Sequence, residues 1–340
     1  MVQAVIADAP MPGVAVSVFD RRDVLFEGVH GHADRTTGRA VAAADWWDLA
    51  SLTKVLVTLP EVLDGPIPLT RPLGDHWDRA AGLPVGAVSA ADLLSHRAGL
   101  PATVRFFETM SGYDTIVDAA LRTPLYSGLG FSAPSGGPGA GSGTAPGPAV
   151  YSDLGFIILG ALVEDVTGSR LSELARRRTG LAMGRAPGPA AATEFCPWRG
   201  RMIAGEVHDE NAAAMGGAAG HAGGFGTLGM VTAAAQAWLA ERVVSPQAHR
   251  SARACWSTGA GGARYGLGWW LTPTRGLGGT VAGADGYGCS GFVGNRIWLE
   301  PTYGYGVVIL SNRIHPVRGD RAPFAAWCDR LLAVVAAELR

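Results

Sequence analysis

Strand-like segments stand at both ends of this 340-residue chain and helical ones fill its middle, an order that few folds accommodate. Pro12 to Phe19 is rich in valine and is followed by the polar run Asp20-Arg21-Arg22-Asp23, after which Val24 to Val29 resumes the apolar pattern. A β-hairpin is expected there. No further strand is expected before Asp48. The last third returns to β character in Arg264 to Leu271, Phe292 to Leu299 and Tyr305 to Ser311, segments that alternate or carry β-branched and aromatic residues. Phe324 to Leu339 reads as an amphipathic closing helix. Between the two ends, Ala90 to His96, Tyr113 to Leu121 and Asp153 to Val166 have helical patterns, the last stopping at Thr167-Gly168. Met230 to Val243 supplies another helix. One sheet assembled from both termini accounts for this order. The fold class is α+β, with residues 1–68 and 217–340 as the sheet domain and 69–216 as an inserted, mostly helical domain.

Composition removes several function classes. Net charge is -1 with 17% charged residues, so the basic stripe of a nucleic-acid binder is missing. Arg176-Arg177-Arg178 is a lone triplet and reads as the solvated end of a helix. No run of about 18 apolar residues suggests a membrane-spanning helix. Met1 to Pro12 lacks the pattern of a secretory signal, and Cys196, Cys255, Cys289 and Cys328 are too scattered for a disulfide framework or zinc site. A cytoplasmic location is expected. Ser127 to Pro148 is low-complexity Gly, Pro, Ser and Ala and reads as a flexible loop. Neither a metal nor another cofactor is expected; His208-Asp209-Glu210-Asn211 holds ligand-type residues without metal-site spacing.

Of the 28 basic side chains, one is a lysine, Lys54. Arginine does not give up its proton near neutral pH, whereas a desolvated lysine can and can then act as a base. Three residues earlier stands Ser51. If the segment is helical, positions three apart share a face and the amine lies beside the hydroxyl, an activated nucleophile within one turn. The bland alternative is a solvated lysine on a surface helix, since a Ser-x-x-Lys tetrad recurs by chance. The helix is expected to be short, interrupted at Pro60 and ended by Asp64-Gly65-Pro66. Tyr151 precedes a helix capped by Ser152 or Asp153, and a phenol held near a lysine can share the base role. Gly288-Cys289-Ser290-Gly291-Phe292 leads into a strand, where a backbone N–H can face a developing oxyanion.

These pieces together resemble the serine β-lactamase and penicillin-binding-protein superfamily, specifically the class C-like, esterase-type serine hydrolases. The resemblance rests on Asp48-Leu49-Ala50-Ser51-Leu52-Thr53-Lys54, the segment Leu93 to Pro101 around Ser95-His96, Tyr151-Ser152-Asp153, Gly220-His221-Ala222-Gly223 and Ser311-Asn312-Arg313. It implies a β-lactamase/transpeptidase-like fold, an antiparallel sheet flanked by helices. It also implies Ser51 as acylated nucleophile, Lys54 as proton acceptor, Tyr151 as second base and Asp153 in support. The backbone N–H groups of Ser51 and Phe292 would form the oxyanion hole, with Cys289, Ser290 and Gly291 along the substrate. Asp153 stands where the family often has asparagine. Cys289 occupies the place of a family lysine or histidine, so no lysine remains to bind a drug carboxylate.

Cys289 is either a small residue widening the pocket or, less simply, a nucleophile of its own. Trp46 and Trp47 either line an aromatic acyl pocket or pack the core. His221 reads as a packing or hydrogen-bonding residue. The implied activity is acyl hydrolysis or acyl transfer on a small-molecule ester or amide. A D-amino-acid peptidase or amidase of the same mechanism, and a ligand-binding relative without turnover, are the alternatives.

Overall fold

The computed structural model describes residues 1–126, 149–273 and 277–340; the Ser127 to Pro148 segment lies outside the described residues. Nine strands form one antiparallel sheet: β1 (Gly13–Asp20), β2 (Val24–Asp34), β3 (Arg39–Ala40), β4 (Ser257–Thr258), β5 (Arg264–Tyr265), β6 (Trp270–Leu271), β7 (Tyr287–Gly291), β8 (Asn295–Glu300) and β9 (Tyr305–Ser311). The spatial order is β3-β2-β1-β9-β8-β7-β6-β5-β4. The seam between the two ends of the chain is the β1–β9 pair, in register from Val14 opposite Ser311 to Asp20 opposite Tyr305.

Side chains two apart on a strand share a face, and β1 divides accordingly. Val14, Val16 and Val18 point into a core with Ile6, Ile309, Trp327 and Leu331, beneath the helices Val2–Ala7 and Ala322–Leu339. Ala15 and Phe19 point the other way, into the larger core. That core continues without a break through Leu52, Val55, Phe156 and Leu159 into the helical middle of the chain. Among the described residues no helix is long and apolar enough to cross a membrane.

Four local expectations are corrected. The amino-terminal hairpin runs on to Asp34 and turns back as β3, with an irregular register between His32 and Asp34. Trp47–Asp48 is itself a strand, in a small sheet with Gly224–Gly226 and Ala182–Met183. Pro60 does not interrupt the helix after Ser51. Residues Lys54–Thr58 take a π-helical turn in which the Leu59 N–H reaches back to the Lys54 carbonyl, and an α-helix continues over Leu59–Asp64 with Pro60 in its first turn. Proline has no N–H to place in the ladder and crowds the carbonyl four residues back; a single wide turn absorbs both problems. Arg178 is not a solvated helix end either: it bonds Glu61 (2.6 Å) and Asp64 (2.9 Å), tying the helix Leu171–Thr179 to the end of the Ser51 helix.

Candidate active site

Ser51 sits at the start of that helix, directly after a strained residue. Ala50 has φ +45°, a left-handed conformation that costs a residue with a Cβ free energy and persists only where its surroundings impose it. One imposed feature is an Asx-type turn in which the Asp48 carboxylate accepts the Ala50 N–H at 2.7 Å. Another is β7, which lies so close that a Cβ on Gly291 would stand 2.8 Å from the Leu49 carbonyl oxygen and 3.3 Å from the Ala50 Cβ. Gly291 is therefore what lets β7 approach Ser51.

The one lysine is not on the surface. Lys54 is fully buried, and its ammonium donates to Ser51 Oγ (2.8 Å), Asp153 Oδ1 (2.7 Å) and the His221 carbonyl (3.2 Å). An ammonium has three hydrogens, and all three are used. Burial alone would lower its pKa, but Asp153 and the neighbouring Tyr151 and Cys289 outweigh that and hold it above the ordinary lysine value. The resting group is a cation, lying 5.1 Å from the Tyr151 ring centroid and 5.7 Å from that of Phe156.

Tyr151 reaches the site from the start of the helix Asp153–Thr167, whose N-cap is Ser152. The Ser152 hydroxyl donates to the Pro101 carbonyl (2.7 Å) and its N–H to His96 Nδ1 (3.1 Å). His96, at φ +60°, packs its ring 4.4 Å from that of Tyr151, and Trp270 lies on Tyr151 at 5.4 Å. Burial and the Lys54 charge push the His96 pKa down to about 3, so this imidazole is neutral and serves as an acceptor. Among the described residues, the buried Tyr151 Oη has no hydrogen-bond partner of normal geometry. Burial pushes its pKa up to about 12 against the pull of Lys54; the phenol is protonated at rest.

Phe292 follows the end of β7, with its side chain 49% exposed. Among the described residues, neither the Ser51 N–H nor the Phe292 N–H has an acceptor, which is what an oxyanion hole requires of its donors. Cys289 is buried with Sγ 3.7 Å from the Ser51 carbonyl oxygen. Burial pushes its thiol up to about 12 despite Lys54, so it carries no thiolate at neutral pH and acts as a small apolar neighbour. Ser290 and Gly291 complete β7 beside it.

Of the two readings of Trp47, acyl pocket or core packing, the structure fits the second, with the residue 2% exposed in the main core. The spacing of motifs also did not reveal three supporting groups. They are the Asp48 carboxylate, the His96 ring, and the pair between the buried His221 Nε2 and the half-buried Asp209 Oδ1 at 2.9 Å, which steadies the loop whose carbonyl receives Lys54. The same loop is pinned by Thr58 Oγ1 donating to the Gly220 carbonyl at 2.7 Å. Gly220 lies against the Phe156 backbone so closely that a Cβ would overlap its carbonyl oxygen. Gly220→Ala is accordingly expected to cost about 1–3 kcal/mol, read as a lower midpoint in urea unfolding.

A family model described as Beta-lactamase matches residues 1–328. The N-acetylmuramyl-L-alanine amidase of Bacillus subtilis (strain 168) is 25% identical, over 96% of this chain and 85% of its own length. A putative D-alanyl-D-alanine carboxypeptidase of Escherichia coli O157:H7 is 26% identical, over 92% and 81%. Among solved structures, a family VIII carboxylesterase superposes with a TM-score of 0.72 at 17% identity, over 97% of this chain and 94% of that one.

Proposed function

This chain belongs to the β-lactamase family of serine hydrolases, and from that premise we propose that it hydrolyses, or transfers the acyl group of, a small ester or amide through an acyl-enzyme on Ser51. The observation that carries the reading is the contact of the buried Lys54 ammonium with Ser51 Oγ at 2.8 Å, beside two N–H groups without acceptors. Ser51 Oγ attacks the substrate carbonyl, and its proton passes to the Lys54–Tyr151 pair. The oxygen turned anionic is received by the Ser51 and Phe292 N–H groups. When the tetrahedral intermediate collapses, Tyr151 returns the proton to the leaving alcohol or amine. Water, or another hydroxyl or amine, then attacks the acyl-enzyme by the same steps in reverse order.

Both members of the pair are protonated at rest, so the reactive form has lost one proton. The two titrate together and the lost proton belongs to the pair. Amide cleavage is the second reading, favoured by the names of the two relatives, an amidase and a carboxypeptidase; it uses the same residues and a different leaving group.

Intact-protein mass spectrometry after exposure to a fluorophosphonate tests the reading. Wild type is expected to gain one adduct and Ser51→Ala none. An unlabelled wild type, or an adduct that persists in Ser51→Ala, would overturn it. A panel of p-nitrophenyl esters beside D-amino-acid amides, with and without added amines, separates ester from amide cleavage and hydrolysis from transfer.

A further inference from the structure

We propose that Asp48 is the positioning residue of the oxyanion hole, its one carboxylate holding in register the two chain segments that carry the donor N–H groups. This rests on the Ser51 acyl-enzyme reading. Asp48 is buried and touches neither the hydroxyl nor the ammonium, so it acts through others. Its Oδ1 accepts the Ala50 N–H at 2.7 Å and its Oδ2 the His208 N–H at 2.6 Å. The first bond fixes the left-handed residue before Ser51, and with it the direction of the Ser51 N–H. The second reaches the other donor: the His208 ring stacks on that of Phe292, 12° from parallel with centroids 5.7 Å apart.

The backbone of the same residue is also tied. Asn295 Nδ2 donates to the Asp48 carbonyl at 2.7 Å, while Asn295 Oδ1 accepts the Ser311 N–H. Asn295 pairs with Gly291, the neighbour of Phe292. Asp48 thus joins the nucleophile turn, the His208 loop and the β7–β8 end of the sheet. A merely structural carboxylate could sit anywhere in this core; this one bonds the residue before one donor and the residue stacked on the other.

The charged groups around it are few. Arg199 donates to the Val207 and His208 carbonyls at 2.7 and 2.5 Å, so the His208 peptide is held by an anion at its N–H and a cation at its C=O. Asp209 follows at the cap of the helix Glu210–Ala214. Burial pushes the His208 pKa down to about 4, leaving its ring neutral. Asp48 itself is pushed up to about 6, by burial first and with Asp209 adding to it, against the two N–H bonds and Arg199. It is charged above that pH and gives up an acceptor site below it.

The test compares wild type, Asp48→Asn and His208→Ala. Asparagine keeps the shape and one acceptor; alanine at 208 removes the stacked ring but leaves the N–H to Asp48. Losing one oxyanion donor costs about 10²–10³ in kcat, so misplacing one is expected to lower kcat about 10- to 100-fold in Asp48→Asn. The same direction, by less, is expected in His208→Ala. KM should stay within about threefold, since the ground-state carbonyl gains little from the hole, and affinity for a phenylboronic acid, which becomes tetrahedral on Ser51, should fall with kcat. The fall in wild-type kcat as pH drops through about 6 should be steeper than the Lys54–Tyr151 pair alone imposes, and in Asp48→Asn the pair's slope should remain without that extra fall.

If wild type is labelled at Ser51, and whichever variants retain the wild-type near-UV circular dichroism keep full kcat and boronate affinity, the Asp48 proposal falls and the acyl-enzyme reading stands. A rise in KM at constant kcat would equally overturn it. A wild type that takes no label removes the acyl-enzyme reading and this inference with it.

Discussion

Replacing Lys54 by arginine is expected to slow acylation of Ser51 by roughly 10²- to 10⁴-fold, the range for losing a positioned general base, while the protein stays folded. The substitution keeps the charge, so Asp153 retains its counter-ion. It takes away the ability to accept a proton, because a guanidinium does not deprotonate in proteins. It also brings more atoms into a space where the ammonium already meets Ser51, Asp153 and the His221 carbonyl, and overpacking of that kind costs typically about 1–3 kcal/mol. The burst of p-nitrophenol from an activated ester, followed by stopped flow, reads acylation apart from deacylation. A variant that acylates as fast as wild type would leave Tyr151 as the sole base. Circular dichroism melting of the same sample separates lost chemistry from lost fold.

The residues that meet at the centre of the candidate site were visible in the sequence through local patterns. Ser51 and Lys54 are three apart at the start of a helix, and Tyr151 stands just before another. The sheet was legible for a related reason: β1 and β9 are short apolar runs rich in β-branched residues, enough to mark strands on their own. What escaped is held together across the chain. The bond from Asp48 to the His208 N–H spans 160 residues, and nothing in Asp48-Leu49-Ala50 announces where its second oxygen goes. His96 has a left-handed backbone that histidine seldom takes, so its local sequence argued for an ordinary helix end. Trp47 next to Ser51 could equally be a pocket wall or core, because burial of an indole depends on what packs over it, and here the main core encloses it. Pro60 misled for a physical reason too: a proline breaks an α-helix, and the chain answers with a π turn that the pattern does not display.

Asp153→Asn is expected to move the pH dependence of kcat/KM toward acid by about 1–3 units, the usual influence of one adjacent opposite charge. The sign follows from the balance at Lys54. Burial is the largest influence and favours the neutral amine; the Asp153 carboxylate opposes it and wins. With the carboxylate gone, burial acts unopposed by that charge and the Lys54 pKa falls. Tyr151 moves the same way, since Asp153 also raises its pKa. In wild type the proton must leave a pair held above neutrality, so kcat/KM should climb about tenfold per pH unit through the neutral range. In Asp153→Asn the plateau should come at lower pH, and activity at neutral pH should exceed wild type by roughly the same factor as the shift, provided the amide oxygen still accepts from Lys54 and keeps it aimed at Ser51. The measurement is kcat/KM for an uncharged ester across the pH range in which the fold is intact. A profile that moves toward alkali, or does not move, would mean that Asp153 holds the ammonium in place without setting its basicity, and the proton would then have to reach Tyr151 by a route independent of Lys54.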